Sequence, residues 1–216
     1  MRVRSLLTVF AATMLAISIN TAEAKKDQAA DGAATELVIE DTGVAAVDSF
    51  YDKVETMIGK LQSAQADMDS ANAKLAEALG LAEGTPLADA LADLQAKAEG
   101  KIELVLEGTK PTIKPADGCP ENVQNAIDAT NAMANSLMAA TDTLKSVATD
   151  AKPLAVEATD MPAAIVDSSL GLADKAKATK TAASNLKTTK QIPAEAETLA
   201  GKCQESLELI KSTFGG

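Results

Sequence analysis

From Val44 to Leu79 the chain repeats one spacing: Val44, Val47, Tyr51, Val54, Ile58, Leu61, Gln65, Met68, Asn72, Leu75 and Leu79 follow at alternating steps of three and four. Side chains so spaced share one stripe of an α-helix, and about five heptads of them make a seam that must be laid against another surface. At 1.5 Å per residue the rod is roughly 55 Å long. Gly80 and Gly84 punctuate its end, as glycines past a helix terminus do. Two amides, Gln65 and Asn72, interrupt the stripe. Either they are buried and fix the register, or the stripe turns toward water there; the spacing allows both.

A rod of this length narrows the choice of fold, and the remaining segments read the same way. Thr85-Pro86 has the form of a helix start, a hydroxyl cap followed by proline at the first helical position. Leu87, Leu91, Leu94, Ala98 and Val105 carry that second stripe. Gly100 weakens it, and Ile102 to Leu106 reads equally as a strand. Gly108 to Cys119, with Pro111, Pro115 and Gly118, reads as a loop of extended backbone. Pro120 opens a third helix through Val123, Ile127, Thr130, Ala134, Leu137, Thr141, Leu144 and Ala148, with Pro153 expected at its end or just beyond it. A fourth starts at Asp160-Met161-Pro162 and runs to Leu186. A break at Gln191 to Pro193 then leads to a last helix with Leu199, Cys203, Leu207, Ile210 and Phe214 inward. The expected fold is all-α: an elongated antiparallel bundle of about five helices with coiled-coil-like packing.

Its seams are rich in alanine and threonine. Such helices approach closely but bury little apolar area, and at about 25 cal/mol per Å² a core of this kind gains less than a leucine core. The two cysteines, Cys119 and Cys203, offer a covalent supplement. A disulfide between them would close a loop of about 84 residues, worth on the order of 4 to 5 kcal/mol by chain entropy. Free or intermolecular thiols are the alternative; no Cys-x-x-Cys spacing suggests redox catalysis.

The N-terminus reads as a secretory signal. Arg2 and Arg4 precede an uncharged, mostly apolar run from Ser5 to Asn20, and Ala22-Glu23-Ala24 is a small-x-small cleavage triplet. The run is shorter than the roughly 20 apolar residues of a membrane span. The expected organisation is therefore signal peptide 1–24, flexible leader 25–41 whose one apolar cluster, Leu37-Val38-Ile39, can dock as a short strand, and helical bundle domain 42–216. The product would be periplasmic or secreted, where a disulfide persists. Removing Arg2, Arg4 and Glu23 changes the net charge from −11 to −12.

That acidity, with no arginine left after processing, excludes a nucleic-acid partner. The chain has no histidine, which removes the commonest general base and metal ligand and every zinc-protease motif. There is no Gly-x-Ser-x-Gly elbow and no phosphate-binding glycine loop. Ser184-x-x-Lys187 matches the serine–lysine spacing of penicillin-recognising enzymes, but the companion elements are missing and chance explains it. Asp67 with Asp69 and Asp89 with Asp93 lack a calcium-type loop and read as solvated helix faces. No catalytic residue, cofactor or metal site is expected. The sequence instead suggests a structural or interaction protein, whose seam of Val44, Val47, Tyr51, Val54, Ile58, Leu61, Met68, Leu75 and Leu79 meets a protein partner or a second copy. The other reading is a periplasmic carrier or chaperone whose Met57, Met68, Met133, Met138 and Met161 adapt to apolar ligands or unfolded clients.

Overall fold

The structure is a computed structural model that describes residues 37–108 and 110–215. The secretory-signal reading, and the leader as far as residue 36, lie outside the described residues. The described part is mostly helical. Three long helices form its body: α1 (Ala45–Leu79), α3 (Gln124–Glu157) and α5 (Leu172–Phe214). Two short ones, α2 (Leu87–Lys97) and α4 (Met161–Val166), and a hairpin of β1 (Ile102–Glu107) and β2 (Lys110–Pro115) close its ends.

Side-chain contacts give the directions. The Tyr51 hydroxyl donates to the Ala182 carbonyl at 3.1 Å, and Cys203 Sγ lies 3.2 Å from Met68 Sδ, so α1 and α5 run the same way. Lys152 on α3 reaches Glu197 on α5, while Thr141 of α3 meets Cys203, so α3 runs against both. Up, down and up is the arrangement that short connections favour. One end of the rod carries the starts of α1 and α5 with α4. The other carries the hairpin and α2, whose Lys97 Nζ and Gln95 Nε2 bond the Leu79 and Thr213 carbonyls where α1 and α5 stop.

The expected stripe of α1 is buried along almost its whole length. The two amides divide: Gln65 faces solvent with Ala64 buried in its place, whereas Asn72 is buried. Asn72 Nδ2 donates to the Thr85 carbonyl at 3.4 Å and ties down the connection to α2; its Oδ1 has no partner among the described residues. α1 stops at Gly80, whose φ of +70° is the left-handed cap conformation that glycine adopts without cost. At its start Asp48 accepts from the backbone N–H groups of Thr42 and Gly43 and from the Thr42 hydroxyl, fixing the angle at which the chain enters. The buried threonines of the seams, Thr130, Thr141 and Thr189, are satisfied by donating to the carbonyl four residues back.

Several expectations are corrected. Proline ends neither long helix: Pro153 lies inside α3 and Pro193 inside α5. There is no break at Gln191 to Pro193, so the expected fifth helix is the second half of α5. The interruption falls earlier, after Val166, where the Ser168 hydroxyl bonds the Ile165 carbonyl. Packing accounts for the shift, because Ile192 and Ala196 on either side of Pro193 are buried, as are Ala151 and Ala158 around Pro153. Thr85 does not cap α2; its hydroxyl turns back to the Ala82 carbonyl. Ile102 to Leu106 is a strand, and half of the expected loop, Lys110–Pro115, is its partner. Leu37-Val38-Ile39 forms no strand. It lies along α5, where the Asn185 amide both donates to and accepts from the Glu40 backbone and Thr188 bonds the Val38 carbonyl.

Candidate interaction surfaces

The apolar seam of α1 does not face outward. Val47, Tyr51, Val54, Ile58, Leu61, Met68, Leu75 and Leu79 are buried in the chain's own core, and Val44 is half-buried against it. The surface that meets them belongs to the same molecule, so a partner must use other residues.

The expected disulfide is absent: Cys119 and Cys203 are both free. A disulfide needs Cα atoms within about 7 Å. Thr141, the neighbour of Cys203, lies 17 residues along α3 from Gln124, roughly 25 Å at 1.5 Å per residue, and Cys119 precedes Gln124. The pairing fails because α5 is one helix. A separate last helix starting near Pro193 would have placed Cys203 close to an end; the continuous one places it level with the middle of α3 and α1. There it is fully buried, and burial raises its thiol pKa despite a lowering contact with Thr141. Cys119 is half-buried in a shallow surface concavity formed by Pro115–Glu121 and Gln124.

No group of three or more His, Cys, Asp or Glu side chains is gathered for a metal among the described residues, and no described helix is long and apolar enough to cross a membrane. The marked titration shifts come from burial and arise without a base–nucleophile pair. Tyr51, inside the core, is pushed up to about 12 by desolvation. Glu55 is raised by desolvation first and then by the carboxylates of Asp52 and Asp41.

Two exposed features remain. The first is the tip where α3 turns through α4 into α5. Val156, Val166 and Leu172 stand 71%, 62% and 90% exposed there, beside half-buried Met161 and Leu170. Leu172 is the first residue of α5. Three large apolar side chains left in water at one end of the rod make that end a candidate contact surface.

The second is the hairpin, whose two edges differ. Its register pairs Ile102 with Pro115, Leu104 with Ile113 and Leu106 with Pro111 across a two-residue connection beginning at Gly108. Ile102, Leu104, Leu106, Pro111, Ile113 and Pro115 form the face turned to the helices, and the charged residues Glu103, Glu107, Lys110 and Lys114 form the other. Asn131 on α3 donates to the Ile113 carbonyl at 2.8 Å and accepts from the Ile113 N–H at 2.7 Å. Those backbone groups therefore point away from β1. By the alternation of antiparallel pairing, Pro111 and Pro115 also turn that way, and they have no N–H. The β2 edge is sealed. At the same positions of β1, the N–H and C=O of Ile102, Leu104 and Leu106 point outward, and no described residue bonds them. Prolines in the loop could have been read as an edge-strand signature; the amide of Asn131 could not. No family model, no curated protein and no solved structure matches this chain.

Proposed function

We propose that this chain is an exported, non-enzymatic helical rod with a structural or protein-binding role in the cell envelope or outside the cell. The observation that carries the reading is the apolar tip of Val156, Val166 and Leu172, exposed on a molecule whose other large apolar side chains are mostly packed inside. Export rests on the order of charge, apolar run and cleavage triplet at the N-terminus. The carrier reading has less support. Met68 and Met133 are core residues rather than the lining of an opening, and the concavity beside Cys119 is shallow.

The test is cross-linking of the native protein in the intact envelope or culture medium, followed by identification of the joined chains. Val166→Ser with Leu172→Ser, both at exposed positions, should remove the joined species and leave the circular-dichroism spectrum unchanged. N-terminal sequencing of the same material should begin at Lys25. An unprocessed chain confined to the cytoplasm would overturn export, and joined species indifferent to the double substitution would overturn the role of the tip.

A further inference from the structure

From the open edge of the hairpin we infer that β1 binds a second copy of this chain, strand to strand and antiparallel, to make a four-stranded sheet across a twofold axis. The inference rests on the interaction role proposed above and names one partner and one surface for it.

Three observations converge. The first is the asymmetry of the edges. An exposed edge strand is a template for pairing, and proteins blunt such edges. Here the β2 edge is blunted twice, by prolines at 111 and 115 and by the Asn131 amide, while β1 has no equivalent device among the described residues. None of the six residues of β1 is buried, and Leu106 is 57% exposed. No described residue bonds its outward N–H and C=O groups.

The second is register. Outward backbone groups sit on Ile102, Leu104 and Leu106, so a second β1 can pair only with even-numbered residues opposite even-numbered residues. Centred on Leu104, the pairing sets Leu104 against its own copy, Ile102 against Leu106, Glu103 against Val105, and Lys101 against Glu107 at both ends. A shift of two residues one way sets Glu103 opposite Glu103. The same shift the other way sets Glu103 opposite Glu107. Like charges directly opposite destabilise a pair and opposite charges support it, so the sequence around β1 is complementary to itself in the register centred on Leu104 and repels in the two adjacent ones.

The third is that the charges are available. Lys101 holds Glu99 at 3.2 Å and Glu107 holds Lys114 at 3.7 Å, both as exposed surface pairs that contribute little and can be exchanged. Lys101 already continues the ladder, its carbonyl accepting from the Ala116 N–H, so it stands in line with the strand.

An edge pairing of this length buries less than a standard interface, so the association belongs with weak, concentration-dependent ones. Sedimentation equilibrium on the full chain from micromolar to millimolar concentration should show a monomer–dimer equilibrium. Leu106→Pro, which copies the device of β2 onto an exposed position, should abolish it without altering the thermal transition. Lys101→Glu alone and Glu107→Lys alone should each weaken the dimer about tenfold, and the two together should restore it. Restoration by the double substitution cannot come from misfolding. A chain that stays monomeric at millimolar concentration, a dimer that survives Leu106→Pro, or single charge changes without effect would each overturn the inference. None of these touches the role of the tip, which is read separately by cross-linking of the Val166 and Leu172 variants.

Discussion

At the scale of single residues, this protein uses buried polar side chains as fasteners. Tyr51 is the clearest case: its ring lies in the core edge-on to Phe50, with centroids 5.1 Å apart, and its hydroxyl reaches across to the backbone of α5. Ionising that phenol would place a charge in the core, and this desolvation is why its pKa rises to about 12. A phenol in the unfolded chain ionises near 10. Above that pH the unfolded state has lost a proton that the folded state keeps, so folding stability falls between pH 10 and pH 12 and is unaffected below. Tyr51→Phe should remove that share of the alkaline loss and lower stability at pH 7 by about 1 kcal/mol for the missing hydrogen bond. Urea titrations at pH 7 and pH 11 measure both effects. Asn131 and Asn185 fasten in the same way, each donating to and accepting from one backbone residue of a distant segment. Nothing in the sequence distinguishes these asparagines from solvent-facing ones, because their role depends on what the fold places opposite them.

At the scale of elements, the heptad spacing of α1 was legible because a buried face repeats within one helix, whatever it packs against. Helix ends were less legible. A proline inside a helix removes a hydrogen bond and collides with the preceding turn, at a cost of about 3 kcal/mol or more, so an end at Pro153 or Pro193 is the natural expectation from local energetics. The structure continues through both, since the flanking alanines and Ile192 are packed in the core and breaking the helix would withdraw them from it. Pro193→Ala should therefore stabilise the protein by roughly 1 to 3 kcal/mol, raising the melting temperature by several degrees. A lower melting temperature in calorimetry would mean that the proline is needed for the path of α5. The hairpin was half legible: Ile-Glu-Leu-Val-Leu-Glu reads as a strand, but Lys-Pro-Thr-Ile-Lys-Pro does not, since its two prolines are tolerable only on an edge without ladder donors.

At the scale of the whole molecule, the chain is held without a covalent tie between its helices. A thin alanine-rich bundle gains from a cross-link, and the presence of two cysteines suggests one. The structure places the thiols too far apart and gives the core a different support, one continuous α5 packed along α3, with α1 touching both. In the folded protein, a thiol reagent should therefore label Cys119 quickly and Cys203 only as fast as the chain unfolds. A reductant should leave the melting temperature unchanged. Finding no titratable thiol in the denatured, unreduced protein would contradict the structure.

The sequence by itself determined that the chain is mostly helical, where its first rod begins and ends, and that it is acidic and has no histidine for a zinc-protease motif. These are properties of composition and of spacing along one element, and each residue carries them wherever its neighbours lie. Only the tertiary structure decided that the α1 seam faces inward, that the last two expected helices are one, that the cysteines stay apart, and that one edge of the hairpin is closed and the other open. Those outcomes depend on which distant residues come to lie side by side, and a helical or strand period specifies a face without specifying what will cover it.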